Sequence, residues 1–175
     1  MIDLKNSLTA LFFISALLFI SMDAEADDLI RTTCRRTPDR RICESSLRSD
    51  PRSATAATAE ALIPIMIDVV RSEFTASLAH VNALIKQARD PGMARALREC
   101  AWLYKVVLED NVVVAVKAVK LGDPKFGEEA MIDSGNEAEA CERTFSGRLR
   151  SPVTERTKYL HGVCNVAAAL VKIME

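Results

Sequence analysis

Residues 95–122 read RALRECAWLYKVVLEDNVVVAVKAVKLG and predict one long amphipathic helix. The residues of one predominantly apolar face recur at steps of three or four, which is the period of an α-helix. That face comprises Leu97, Cys100, Ala101, Tyr104, Val107, Leu108, Asn111, Val114, Ala115 and Ala118. Val112 to Val114 are β-branched, but the period around them is long enough to outweigh their preference for strands. Gly122 then predicts the end of the helix.

Three further stretches repeat this pattern. Residues 54–86 predict a helix that Pro64 either kinks or begins, with an apolar face of Leu62, Ile65, Val69, Ala76, Ala79 and Ala83. A third helix follows from the stripe Met131, Ser134, Ala138, Cys141 and Phe145. A fourth runs from Val153 to Met174, with Ser151 as its N-cap and Pro152 as its first helical residue. Short connections favour antiparallel neighbours, so we predict an all-α, up-down-up-down four-helix bundle over residues 54–175.

Composition agrees with one helical domain and excludes several functions. The 175 residues are 49% hydrophobic, 27% charged and 5% aromatic, with only 6 Gly and 6 Pro. A formal charge of -1 gives no general attraction to nucleic acid. The sequence holds no motif of a hydrolase nucleophile, a zinc protease, a P-loop or a dinucleotide site. His161 and Cys164 share a helix face, but we predict neither catalytic residues nor a metal or cofactor.

The amino terminus predicts a secretory signal peptide over residues 1–26. Lys5 precedes a 13-residue apolar run from Leu8 to Ile20, and Ala24-Glu25-Ala26 has the small-x-small form of a cleavage site. A membrane anchor is the alternative, but the run is shorter than the roughly 20 residues that a bilayer span needs. We therefore expect a secreted protein of net charge +1 that is free of the membrane once the signal is removed.

Five cysteines follow the predicted signal: Cys34, Cys43, Cys100, Cys141 and Cys164. Secretion favours disulfides, and an odd count leaves one thiol over, with fifteen arrangements open. Local pairing is the simplest choice for Cys34 and Cys43, which would close an amino-terminal hairpin over residues 27–53. A Cys100–Cys141 bridge is geometrically reasonable if the second and third bundle helices are antiparallel. Cys164 lies on an apolar stripe and reads as an inert buried thiol.

The segment Gly122-Asp123-Pro124-Lys125-Phe126-Gly127 predicts a loop between the second and third bundle helices. Its glycines and Pro124 would hold Lys125 and Phe126 outward with little ordering cost on binding. Alternatively, a helix cap is followed by a turn, with Phe126 folded back onto the bundle.

The chain resembles the plant invertase and pectin methylesterase inhibitor family over the whole predicted mature region. The resemblance rests on Leu29 to Cys34 with Thr37-Pro38 and Cys43, Leu47 with Asp50-Pro51, Cys100 with Tyr104, Cys141-Glu142 with Phe145, and Ser151-Pro152. It implies an amino-terminal helical hairpin on a four-helix bundle, with Cys34–Cys43 and Cys100–Cys141 bridged and Cys164 free.

Pro124-Lys125-Phe126 looks like the motif by which the invertase inhibitors of this family enter the substrate cleft. The resemblance implies an inhibitor, not an enzyme, that forms a 1:1 complex with an acid invertase in the cell wall or vacuole. Gly122, Asp123 and Gly127 would support the motif. A pectin methylesterase inhibitor is the alternative function, and a carrier of small apolar ligands is an alternative of another class.

Overall fold

Helices make up nearly all of the described structure, a computed structural model that covers residues 24–145, 147 and 149–174. Residues 24–34 form α1, and the later helices are α2 (Arg40–Ser49), α3 (Ala59–Gln87), α4 (Pro91–Val106), α5 (Val112–Leu121), α6 (Pro124–Arg143) and α7 (Thr154–Val171). The predicted all-α class is confirmed, and these described ranges contain no strand. Most of the predicted signal peptide, residues 1–23, lies outside them.

Four helical units form the bundle: α3, the pair α4–α5, α6 and α7. Each contacts the next along the chain, and α7 returns to α3. A disulfide joins Cys100, in the first half of the α4–α5 unit, to Cys141 near the end of α6. At the other end of α6, Gly127 lies beside Val171, the last residue of α7. Neighbouring helices are therefore antiparallel, and the predicted up-down-up-down bundle is confirmed.

The interior of the bundle is filled by large side chains. Phe74 of α3 and Tyr104 of α4 are fully buried, and their rings meet edge to face with centroids 5.3 Å apart. Burial raises the pKa of the Tyr104 hydroxyl. None of the helices described here is long and apolar enough to cross a bilayer.

The amino-terminal helices form the predicted hairpin. Cys34 and Cys43 are bridged and fully buried, with Cα atoms 5.6 Å apart. The Asp39 carboxylate caps α2 by accepting the Ile42 N–H at 3.0 Å. Ile42 also packs on α7, where its Cδ1 lies 2.7 Å from the position a Cβ on Gly162 would occupy. The absence of a side chain at that glycine lets α2 lie close against α7.

A 3₁₀ turn, Pro51–Thr55, links the hairpin to α3. The predicted boundary between residues 53 and 54 falls inside this turn, and α3 begins at Ala59 behind the N-cap Thr58. Pro64 lies within the helix, so the alternative that it begins the helix is wrong. Pro64 and Glu60 are both exposed. The Glu60 carbonyl that loses its helical partner can therefore bond to water.

The second half of α3 buries a different face from the predicted one. Ala76, Ala79 and Ala83 are exposed, whereas Phe74, Ser77 and Val81 are buried. Alanine is small enough to suit either face of a helix, so its spacing carries little information. The bulky residues decide which face turns inward, because they bury most apolar area.

A π turn, Val107–Asn111, separates α4 from α5. It inserts one extra residue into the helical repeat, so the buried face steps by five residues from Val107 to Val112. The stretch is helical as predicted. However, Val114 is 44% exposed and not part of the core. A uniform period of 3.6 residues cannot anticipate such a shift in register.

The start of α7 also differs from the sequence prediction. The helix begins at Thr154, so Ser151 and Pro152 lie before it. The Ser151 hydroxyl accepts the Val153 N–H at 3.2 Å and donates to the Glu142 carboxylate at 2.8 Å. The Thr154 hydroxyl donates to the other oxygen of that carboxylate at 2.6 Å. Glu142 of α6 thus anchors the start of α7.

Candidate functional site

The predicted site begins where α5 ends. Gly122 has left-handed backbone geometry, with φ of 69°, which glycine adopts without strain. Its N–H donates to the Val119 carbonyl at 3.2 Å, and the Asp123 N–H donates to the Ala118 carbonyl at 2.9 Å. These two bonds form a Schellman motif. A Cβ on Gly122 would meet nothing within 4 Å, so the backbone and not packing requires glycine here.

Pro124, Lys125 and Phe126 form the first turn of α6, which corrects the predicted loop. Asp123 is the N-cap residue and Pro124 the first helical residue. The interpretation of residues 122–127 as a loop is therefore wrong, since only Gly122 and Asp123 connect the helices. Proline suits the first helical position because the N–H it lacks would have no helical partner there. Glycine and proline close together resemble loop punctuation, although here one ends a helix and the other begins one.

Gly127 supports the turn by close packing and not by loop geometry. It is buried inside α6. A Cβ at this position would lie 2.9 Å from Cγ1 of Val171 and 3.6 Å from Cβ of Ala118. The first turn of α6 is therefore held tightly against the ends of α7 and α5. This contact fixes the backbone from which Lys125 and Phe126 project.

Both predicted contact side chains reach solvent. Lys125 is exposed, and the Phe126 ring is 59% exposed. The ring borders a shallow groove, which we name the tip groove and which is lined by Val114, Lys117, Ala118, Leu121, Asp123 and Phe126. Leu121 is the most exposed large apolar residue in the described structure, at 71%. An aromatic ring beside exposed aliphatic side chains is typical of a protein-binding surface.

The sequence did not predict a place in a binding surface for three residues of the tip groove: Val114, Lys117 and Leu121. Val114 was assigned to the core because the π turn was not foreseen. Leu121 stood next to the helix-ending Gly122 and received no role. Leu121 lies three residues after Ala118 and seven after Val114, so the helical period places it on the predicted apolar face and gives no sign of its exposure.

Several lysines lie at or near the tip groove, whose lining also contains the carboxylate of Asp123. Lys117, Lys120 and Lys125 are exposed, and none of them forms an ion pair with another residue of the described structure. The next lysine in this region, Lys172, lies 3.3 Å from the Glu128 carboxylate and is partly neutralised by it. The tip groove therefore combines apolar surface with unpaired ammonium groups, a composition that suits an acidic cleft with an apolar mouth.

The structure also shows the surroundings of Cys164 and His161, which share a face of α7. Cys164 is a free, buried thiol whose pKa is raised by burial, as expected for an inert side chain. His161 contacts a carboxylate and an amide side chain: its Nε2 lies 3.4 Å from Oε1 of Glu139 and 3.2 Å from Nδ2 of Asn165. Across the ranges described, no three His, Cys, Asp or Glu side chains gather closely enough to hold a metal ion.

Comparisons with known proteins place this architecture among enzyme inhibitors. The family described as "Plant invertase/pectin methylesterase inhibitor" matches residues 28–170. An Arabidopsis thaliana protein named "Cell wall / vacuolar inhibitor of fructosidase 1" is 41% identical over 142 residues, which cover 81% of this chain and 67% of that protein. A second, named "Cell wall / vacuolar inhibitor of fructosidase 2", is 30% identical over 96 residues, about half of each chain.

Two crystal structures share the fold. A mutant form of a pectin methylesterase inhibitor from Arabidopsis is 22% identical with a TM-score of 0.69, covering 82% of this chain and 95% of that one. A pectin methylesterase inhibitor from Arabidopsis thaliana is 21% identical with a TM-score of 0.62, covering 83% and 95%. At such low identity the likeness establishes the fold and not the target.

Proposed function

The chain belongs to the plant invertase/pectin methylesterase inhibitor family, and from that premise we propose that it inhibits an acid invertase. The predicted class, an enzyme inhibitor and not an enzyme, is confirmed by this membership. The relative of higher identity is named an inhibitor of fructosidase, which favours the invertase branch over the esterase branch. The observation that carries the proposal is the exposed Lys125–Phe126 pair on the first turn of α6.

Inhibition requires no chemistry from the inhibitor. Acid invertases are glycoside hydrolases that retain configuration, so their cleft holds two carboxyl groups about 5 Å apart. The Lys125 ammonium group is attracted to such a pocket, and a lysine is charged at acidic pH. Phe126 and the aliphatic side chains of the tip groove cover apolar area at the mouth. Sucrose is then excluded because its site is occupied.

The rigid support of the pair favours tight binding. The Schellman motif at Gly122, the N1 proline and the close contact at Gly127 all restrict the backbone of this turn before any partner arrives. A contact surface that is ordered in advance loses less conformational entropy on binding. We expect one inhibitor to occupy one cleft, which gives a 1:1 complex.

Single substitutions at the tip test the proposal. Lys125→Ala and Phe126→Ala should each raise the inhibition constant for an acid invertase by about tenfold or more, since each removes a central contact of the interface. Lys105→Ala and Trp102→Ala are matched controls, because both residues are exposed on α4. Melting temperatures of all four variants should stay close to that of the wild type.

Assays of the wild-type protein against an invertase and a pectin methylesterase distinguish the two branches of the family. We expect no inhibition of a pectin methylesterase at acidic pH. Inhibition of the esterase alone would move the assignment to the other branch, and wild-type potency in both tip variants would remove the role of Lys125 and Phe126. The carrier hypothesis predicts binding of a fluorescent fatty acid, which we do not expect from an inhibitor.

Secretion is part of the proposal. The predicted signal peptide over residues 1–26 and the name of the Arabidopsis relative both favour delivery to the cell wall or vacuole. Expression of the full chain with a carboxy-terminal reporter should give a secreted or vacuolar product that lacks residues 1–26. Mass spectrometry of that product checks the cleavage site after Ala26.

A further inference from the structure

The hairpin tip carries a concentrated positive charge that the proposed inhibition does not use. Residues 31–41 contain five arginines and one aspartate, a net charge of +4, whereas the remainder of the predicted mature chain sums to −3. Cys34 and Cys43, which are bridged and fully buried, anchor the turn between α1 and α2. Four of the five arginines, Arg35, Arg36, Arg40 and Arg41, therefore lie within the short segment that this bridge closes.

Only some of these arginines are neutralised inside the molecule. Arg31 pairs with Asp28, and Arg40 lies 2.5 Å from Oε1 of Glu44. Asp39, the acid within the turn, is committed to capping α2.

Three arginines have no ion pair within the part of the chain that the structure describes: Arg35, Arg36 and Arg41, all exposed. The pKa of Glu60 is lowered chiefly by its own backbone amide and the Thr58 hydroxyl, and Arg36 adds only a weak charge effect. We name the unpaired residues Arg35, Arg36 and Arg41 the arginine triad.

We propose that the arginine triad binds an acidic polysaccharide, a chain of uronic acid residues whose carboxylates meet the guanidinium groups. A guanidinium group is planar and pairs with a carboxylate through two parallel hydrogen bonds. A repeating polymer can present several carboxylates to a cluster of arginines at once, which adds avidity.

The surroundings of the arginine triad favour a polysaccharide over a protein or a membrane. Arginine contributes to protein interfaces, but it does so beside the aromatic and other apolar residues that form their buried core. Stable attachment to a membrane needs an inserted apolar group in addition to a basic cluster. In the described structure, every large apolar residue recorded as exposed lies between Trp102 and Tyr159, outside the hairpin. The hairpin tip offers charge without apolar anchors, which matches a hydrophilic polyanion.

Binding to immobilised polygalacturonate tests the proposal. We compare the wild-type chain with Arg35→Gln/Arg36→Gln/Arg41→Gln and with the control Arg89→Gln/Arg95→Gln/Arg98→Gln. The control removes the same charge from three exposed arginines that form no ion pair among the described residues. At 50 mM salt we expect about tenfold weaker binding for the triad variant and little change for the control. Binding should fall as salt rises, because exposed charges are screened.

Three results would overturn the proposal: undiminished binding of the triad variant, equal weakening by both triple variants, or equal binding to fully methyl-esterified polygalacturonate. A stronger affinity for phosphatidylserine vesicles than for polygalacturonate would also overturn it, in favour of a membrane surface. Invertase inhibition by the triad variant should equal that of the wild type, because the triad lies outside the tip groove. The polymer assay and the inhibition assay therefore fail or succeed separately.

Discussion

At the scale of single residues, the tip depends on the absence of a side chain at Gly127 as well as on the side chains of Lys125 and Phe126. The backbone of α6 approaches Val171 so closely that a Cβ would stand 2.9 Å from Cγ1. Val171 is fully buried, so it has little room to retreat. The position of the first turn of α6 therefore depends on a buried glycine as well as on the residues that the turn exposes.

We predict that Gly127→Ala destabilises the fold by about 1–3 kcal/mol through this overlap. Thermal unfolding measures the effect, and inhibition should weaken as the turn shifts. In the double variant Gly127→Ala/Val171→Ala, the added methyl group fills space that the valine vacates, so its loss of stability should be smaller than the sum of the two single losses. Additive losses would contradict the overlap. Gly122→Ala, where no neighbour lies within 4 Å, is the control that reports backbone strain alone.

The family resemblance indicated which side chains form the tip, whereas residue types alone left open whether Phe126 faces solvent or the bundle. Lys125 and Phe126 were identified from their tripeptide, and both are exposed as expected. The loop around them was wrong because Gly122 and Pro124 are helix-capping residues here, and capping and loop formation use the same residue types. The role of Gly127 depends on Val171, which is 44 residues away in sequence, so no local pattern could reveal it.

At the scale of elements, the π turn between α4 and α5 adjusts the register of one long helical unit. The buried face steps from Val107 to Val112, and regular steps resume at Ala115 and Ala118. The sequence period predicted the helix correctly because both halves are regular. The same period misplaced Val114, because the extra residue of the π turn rotates α5 relative to the core. Residue types do not distinguish a π turn from an α-helical turn, so the period could not include it.

Deletion of Asp110 should therefore be tolerated. Removing one exposed residue of the π turn turns it into an ordinary helical turn and leaves the buried faces of α4 and α5 aligned. Deletion of exposed Arg98, nine residues before the π turn, instead rotates the core residues from Cys100 to Tyr104 by about 100° relative to the preceding part of α4. Thermal unfolding should show a loss of at most a few degrees for the first variant and loss of cooperative folding for the second. Comparable damage from both deletions would contradict a register role for the turn.

At the scale of the whole molecule, the two disulfides brace regions that serve different purposes. Cys100–Cys141 lies far from the first turn of α6, because Cys141 is 17 residues beyond Pro124 along the helix, about 25 Å. Cys34–Cys43 instead closes the turn that bears the arginine triad. The pairings that the family resemblance implied are both confirmed, although cysteine spacing alone left fifteen arrangements open. The structure shows the pairing that the number of cysteines left open.

Removing each bridge should separate stability from the two binding activities. The Cys100–Cys141 bridge spans 41 positions and the Cys34–Cys43 bridge 9, so chain entropy predicts losses of about 4 and about 2.7 kcal/mol respectively. Denaturant unfolding of Cys100→Ala/Cys141→Ala and Cys34→Ala/Cys43→Ala should show that order. At 25 °C, where both variants stay folded, invertase inhibition should match the wild type in each, because neither bridge touches the tip groove. Polygalacturonate binding should weaken only when the hairpin bridge is absent, since the arginine triad then loses its fixed backbone. An equal loss of polymer binding in both variants would mean that overall stability, and not the hairpin turn, controls that surface.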